Sequence, residues 1–182
     1  MTVKSGLRYT VCVILLVLGL SLIASPAVAV TVSSGDRAPM FVTETLEGDK
    51  FTLKEHLGKN VVLLNFWSVF CRDCLSRIEA MNKIHDLYQE RNFELIGIAG
   101  DPPTDRMLTQ VKKYAAKMHF DVVLDPELEI YESYGVEVIP FAVLLDQSGK
   151  VVMAIQSLDP EPLKGISEAI EKLTVIKSSD KE

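Results

Sequence analysis

Apolar residues along this chain form two kinds of pattern: near-continuous runs and series spaced by three or four. Val61 to Trp67 is a run broken only by Asn65, and Phe93 to Ala99 is a second broken by Glu94. Such runs predict strands buried on both faces. Between them Leu75, Ile78, Met81, Ile84 and Tyr88 recur at helical steps, so residues 72–90 are expected to form a helix. Gly100-Asp101-Pro102-Pro103 ends the second run, and Thr104 is placed to cap a helix from Asp105 to Met118 with Leu108, Val111 and Ala115 inward. Asp121 to Leu124 reads as a short strand and Pro126 to Tyr134 as a short helix. Phe141 to Leu145 and Val151 to Ile155 flank Asp146-Gln147-Ser148-Gly149, the pattern of an antiparallel hairpin. A last helix covers residues 161–174, with Leu163, Ile166, Ile170 and Leu173 inward. Strands alternating with helices, then a hairpin and a helix, predict an α/β fold: a mixed sheet covered on both faces, in three layers.

The ends of the chain read differently. Lys4 and Arg8 precede an uncharged apolar run from Thr10 to Ile23, followed by Ala27-Val28-Ala29. That order describes a secretory signal cleaved after Ala29. The run is shorter than the ~20 apolar residues that span a bilayer; the competing expectation is a retained N-terminal anchor. The domain reading is therefore a leader at 1–29, a small, polar linker at 30–40, one domain at 41–176 with short extended pieces around Gly48 and Gly58, and a flexible tail at 177–182.

Charge and cysteine content narrow the function. The whole chain carries a formal net charge of −6, and losing Lys4 and Arg8 makes the remainder more acidic still, which opposes nucleic-acid binding. Cys12 leaves with the leader, so the exported part keeps Cys71 and Cys74. One close pair is not a disulfide framework. Export to an oxidising compartment with a single C-x-x-C points to a redox centre.

The pair lies where a buried strand meets a helix. The unpaired N–H groups of a helix start favour Cys71 as thiolate, the species that attacks a disulfide. Cys74, one turn on, is spaced to resolve the mixed disulfide. Arg72 is expected to favour the Cys71 thiolate, and Asp73 to oppose a second negative charge at Cys74. A structural zinc site needs four ligands, and two are missing. His56, His85 and His119 read as solvated or satisfied histidines.

Phe66-Trp67 ahead of Cys71-Arg72-Asp73-Cys74, together with Tyr134-Gly135-Val136-Glu137-Val138-Ile139-Pro140-Phe141, resembles the thioredoxin superfamily. The opening around Gly35-Asp36-Arg37-Ala38-Pro39, Leu57-Gly58-Lys59-Asn60 and Asn65-Phe66-Trp67, with the long gap from Cys74 to Pro140, is similar to TlpA/ResA-like exported thiol-disulfide reductases. The resemblance covers residues 35–172. It implies a thioredoxin-like fold in the periplasm or on the outer face of the cytoplasmic membrane. It also implies reduction of disulfides in envelope proteins such as apocytochromes c, a membrane or envelope thiol as electron donor, and no cofactor beyond the Cys71–Cys74 disulfide. It makes Pro140 a cis proline packed beside the cysteines, with the Ile139 backbone free to pair with an incoming peptide. Trp67 and Phe70 then line the apolar surface around Cys71, Trp67 partly as core. Asn65 stands where thioredoxins carry a buried Asp, and alignment places Asp101 on the carboxylate that the ResA-like group supplies from the next strand. Asp101 is thus expected to act as general base for Cys74 or to tune it, the competing reading being a helix cap. Phe70 and the Arg72-Asp73 dipeptide depart from the family pattern and leave the redox potential open.

Two other functions fit parts of the motif. A peroxiredoxin-like peroxidase needs Pro-x-x-x-[Thr/Ser]-x-x-Cys; Ser68 suits the hydroxyl position, but Leu64 stands in the proline position. A metallochaperone would carry Cu(I) on the two soft thiolates.

Overall fold

A computed structural model describes residues 31–175. The expected leader and tail lie outside the described residues. The elements are β1 (Val42–Glu44), β2 (Lys50–Thr52), α1 (Leu53–His56), β3 (Val61–Trp67), α2 (Arg72–Ser76) and α3 (Ile78–Tyr88). Then come β4 (Phe93–Ala99), α4 (Asp105–Ala115), β5 (Asp121–Leu124), α5 (Glu129–Tyr134), β6 (Phe141–Leu145), β7 (Val151–Ile155) and α6 (Pro160–Val175). Five strands form one sheet in the order β5-β4-β3-β6-β7, and β1 and β2 form a separate antiparallel pair.

β3 is the axis of the sheet, and all seven of its residues are buried. It runs parallel to β4, from Val61 opposite Phe93 to Trp67 opposite Ala99, and antiparallel to β6, with Phe66 opposite Phe141. Period-two alternation divides its side chains between two cores. Val62, Leu64 and Phe66 pack with Ile96, Ile98, Tyr131 and Tyr134 on one face. Val61 and Leu63 pack with Met81, Ile84, Tyr88, Ile166 and Ile170 on the other. Each large apolar side chain so enclosed contributes about 1.5–3 kcal/mol. A strand apolar on both faces can sit only at the centre of a layered sheet, which is where the pattern put it. Among the described residues no helix is long and apolar enough to cross a membrane.

Three local features differ from expectation. The helix expected over 72–90 is broken at Arg77, which has φ −100° and ψ 0° and sends its N–H to the Cys74 carbonyl at 3.1 Å. The Arg77 guanidinium reaches Asp159 at 2.7 Å. Leu75, Ile78 and Met81 keep three-residue steps across the break, so hydrophobic spacing does not register the bend. The helix expected from Pro126 begins at Glu129, because Leu128 adopts a left-handed φ of 60° and donates its N–H to the Asp125 carbonyl.

The residues expected to form a linker are instead bound to the domain. Gly35 N–H donates to the Val151 carbonyl at 2.8 Å, Val151 N–H to the Asp36 carbonyl at 2.9 Å, and Ala38 N–H to the Gly149 carbonyl at 2.9 Å. Val32 and Ala38 are buried. Small, polar composition says nothing of backbone groups, and here they pair with Gly149 and Val151, at the turn into β7.

Candidate active site

β3 delivers the chain to the sheet's C-terminal edge, and the loop Ser68–Phe70 turns it into α2. Cys71 is the N-cap of α2; its sulfur accepts from the Cys74 N–H at 3.0 Å. The two cysteines are joined as a disulfide, with Cα atoms 5.2 Å apart. They are not equivalent. Cys74 is 6% exposed and packs among Trp67, Ala99, Val111 and Val122, whereas Cys71 is only half-buried. An attacking sulfur must be reachable, so the geometry favours Cys71 for contact with an outside group and Cys74 for internal exchange. Arg72 and Asp73 are exposed on the first turn of α2.

Asp101 lies two residues beyond the end of β4 and is buried. Its carboxylate accepts from the Ser68 hydroxyl at 2.8 Å and from the Val69 N–H at 3.1 Å, both in the loop that enters Cys71. Burial pushes its pKa above the ordinary 3.8, and the Ser68 and Val69 hydrogen bonds partly offset that rise. The carboxylate's hydrogen bonds thus run to the loop before the cysteines, a contact that alignment did not disclose. Ser68 in turn accepts from the Phe70 N–H at 3.1 Å.

The Ile139–Pro140 bond is cis. Pro140 immediately precedes Phe141, which pairs with Phe66 at the same sheet edge, and Ile139 packs against the cluster that holds Cys71, Cys74 and Trp67. The segment nearly seventy positions downstream therefore lies beside the sulfur pair. Phe70, next to Cys71 in the chain, is 73% exposed, and Val138, next to Ile139, is 54% exposed. Trp67 does not share that exposure. It is 1% exposed, and the expectation that it lines the region around Cys71 is corrected: its position on β3 turns the indole into the core.

Tyr131 and Asp125 are supporting residues that sequence reasoning missed. The Tyr131 hydroxyl donates to the Trp67 carbonyl at 2.7 Å, the last backbone acceptor before the redox loop. Its ring lies so close over Gly100 that a Cβ there would come within 2.8 Å of it, which requires glycine next to Asp101. Burial, reinforced by Asp101 and Asp125, holds the phenol protonated well above its usual range. Asp125 accepts from the N–H groups of Ile130 and Tyr131 at 3.2 and 2.9 Å, fixing the start of α5. Asp-Pro ahead of a helical pattern was a legible signal for that cap; nothing in the sequence linked Tyr131 to Trp67.

The histidines lie elsewhere. His56 pairs with Glu94, whose register partner Val62 stands at the far end of β3 from Trp67, and His119 pairs with Asp86. Among the described residues no group of three or more His, Cys, Asp or Glu side chains is placed to hold a metal ion.

Comparison with known proteins adds identity to this geometry. The AhpC/TSA family matches residues 34–154. A thiol-disulfide oxidoreductase ResA of Bacillus thuringiensis is 35% identical over 140 residues, covering 77% of this chain and 78% of that protein. The ResA of Geobacillus thermodenitrificans is 32% identical, covering 77% and 79%. Among solved structures, a protein of Chlorobium tepidum assigned as thiol:disulfide interchange protein DsbE superposes with a TM-score of 0.70. It has 25% identity and covers 79% of this chain and 99% of that one. A thiol:disulfide interchange protein from Bacteroides gives a TM-score of 0.67 at 20% identity, covering 84% and 97%, a likeness of fold.

Proposed function

The chain belongs to the AhpC/TSA family, within the thioredoxin superfamily, and from that premise we propose that this thiol-disulfide oxidoreductase is exported and reduces disulfides of envelope proteins such as apocytochromes c. The observation that carries the reading is the asymmetric sulfur pair: a half-buried Cys71 capping α2 and a buried Cys74 behind it. In this reading Cys71 attacks the client disulfide as thiolate. Its sulfur bonds to one client sulfur, and the other client sulfur leaves and takes a proton. Cys74 then attacks Cys71, the mixed disulfide breaks, and the client's second sulfur departs reduced while Cys71–Cys74 closes. Two electrons have moved from the pair to the client, and a thiol donor at the membrane or in the envelope restores the dithiol. The chemistry asks for no cofactor beyond the pair itself.

Asp101 acts on Cys74 as general base or as a tuner of its ionisation, and its hold on Ser68 and Val69 sets the approach to Cys71. Phe70, the Ile139 backbone and Pro140 receive the client segment, while Arg72 and Asp73 tune the potential. The basic, apolar and small-residue order of the first 29 residues supports export, with a cleaved leader or a retained tether.

The test is turnover. Purified protein supplied with a dithiol donor is expected to reduce a disulfide-bonded peptide catalytically, and Cys71→Ser is expected to abolish the reaction. Peroxide consumption without disulfide exchange would instead support the peroxidase, and tight stoichiometric Cu(I) binding with no exchange would support the metallochaperone.

A further inference from the structure

Among the described residues, two other than glycine have a left-handed backbone: Asn92, with φ 54°, and Leu128, with φ 60°. Asparagine tolerates that conformation. Leucine does so poorly, because its Cβ crowds the following carbonyl oxygen. The surrounding segment imposes it. The Leu128 N–H donates to the Asp125 carbonyl at 3.1 Å, and the Leu128 carbonyl accepts from the Glu132 N–H at 2.9 Å. Glycine would meet the same demand without strain. Burial does not explain the choice of leucine either, since the residue is 46% exposed. A strained backbone that presents an exposed apolar side chain points to a use outside the fold.

The position of the side chain narrows that use. Leu128 Cδ2 lies over Gly100, where a Cβ would come within 2.9 Å of it. Gly100 donates its N–H to the Trp67 carbonyl at 3.0 Å, and its neighbour Asp101 accepts from Ser68 and Val69. Ser68 opens a tight turn that Cys71 closes, with the Cys71 N–H donating to the Ser68 carbonyl at 3.0 Å. Followed along these links, Leu128 lies on the order of 15 Å from Cys71, about four or five residues of extended chain at ~3.3 Å each. It stands at the sheet edge that carries the redox pair, beyond Asp101 on the β4–β5 side.

We propose that Leu128 is a client-contact residue, which receives an apolar side chain a few positions from the client cysteine that Cys71 attacks. The preferred substrates are then disulfides in extended polypeptide with an apolar residue at that remove. Small disulfides such as cystine, and disulfides flanked by polar sequence, lack the group that Leu128 would cover. Contact between the two side chains removes apolar surface of both from water, which the free protein leaves open at Leu128. The inference rests on the oxidoreductase reading and adds to it the class of client.

Two disulfide-bonded peptides test it, one with leucine and the other with serine at the positions about three to five residues from the cysteine on either side. The full chain, kept reduced by a dithiol donor, is expected to reduce the leucine peptide with a kcat/KM about tenfold higher, the scale of enclosing one such side chain. Leu128→Gly, which relieves the backbone, is expected to bring that ratio close to one. Leu128→Asn also suits a left-handed backbone and is expected to do the same, should glycine loosen the start of α5. Leu128→Met keeps an apolar side chain and should keep the ratio. A wild-type ratio near one overturns the contact, as does a ratio unchanged in the folded glycine or asparagine variant. An equal fall on both peptides also overturns it and makes Leu128 a positioning residue that acts through Gly100 and Asp101. A wild-type chain that reduces neither peptide refutes the oxidoreductase reading itself, whereas equal reduction of both refutes the client contact alone.

Discussion

Asp101 and Asp125 follow the ends of two neighbouring parallel strands, β4 and β5, whose last residues Ala99 and Leu124 are register partners. Both are buried, and burial raises the pKa of each above the ordinary 3.8. Their partners differ. Asp125 spends its oxygens on the N–H groups of Ile130 and Tyr131, inside a helix start. Asp101 spends its oxygens on Ser68 and Val69, in the loop that ends at Cys71. Two carboxylates with the same burial and the same direction of shift thus hold different things, one a secondary-structure element and the other the approach to a sulfur. Burial and a raised pKa do not mark a functional carboxylate; the identity of what it accepts from does.

Mutation can break this contrast. The largest expected effect is at Asp125. Asp125→Ala leaves two buried N–H groups without a partner and is expected to cost about 3 kcal/mol, lowering the melting temperature by roughly 10 °C, with little change in turnover per folded molecule. A melting temperature close to wild type would remove Asp125 from its structural role.

Asp101→Asn is expected to do the reverse. The amide oxygen can still accept from Ser68 and Val69, so stability should change by less than about 1 kcal/mol. Turnover should fall by about tenfold or more as the proton-handling group is lost. An unchanged rate and pH profile would make Asp101 a loop anchor and nothing else.

The third expectation concerns pH and applies to both residues. A carboxylate whose folded pKa is raised binds its proton more tightly in the folded than in the unfolded chain. Its contribution to stability is therefore fully present below 3.8 and is lost as pH rises through the folded value. Asparagine does not titrate. Melting temperatures of Asp125→Asn and Asp101→Asn, each measured against wild type, should rise relative to wild type as pH climbs through that acidic window. A difference that stays flat or falls would contradict the direction assigned to the shift.

The smallest effect is expected at Ser68. Ser68→Ala removes the hydroxyl that lowers the Asp101 pKa, so the acid limb of the activity profile should move to higher pH, with turnover at its optimum changed only a few-fold. No movement of that limb would uncouple the Ser68–Asp101 hydrogen bond from catalysis.

Much of this architecture was legible because burial leaves periodicities. Val61–Trp67, Phe93–Ala99, Asp121–Leu124, Phe141–Leu145 and Val151–Ile155 read as strands from apolar runs and turn residues, and all are strands. The bend at Arg77 was not legible, since Leu75, Ile78 and Met81 keep their spacing through it. Nor was the binding of residues 35–38 to Gly149 and Val151, at the turn into β7, which rests on backbone groups that every sequence possesses. At the site, Cys71 and Cys74 announce themselves by spacing. Trp67, expected to divide its role between core and the surface around Cys71, is directed inward by its place on β3. The Tyr131–Trp67 and Ser68–Asp101 bonds join residues 64 and 33 positions apart, and no local pattern encodes them.

The unequal exposure of the two sulfurs is the centre of this account, and disulfide trapping tests it most directly. Cys74→Ser and Cys71→Ser, each incubated with a disulfide-bonded peptide, would be examined by mass spectrometry for a persistent mixed disulfide. A stable adduct is expected on Cys71 in Cys74→Ser and none on Cys74 in Cys71→Ser. Equal trapping by both variants, or trapping by Cys74 alone, would contradict it.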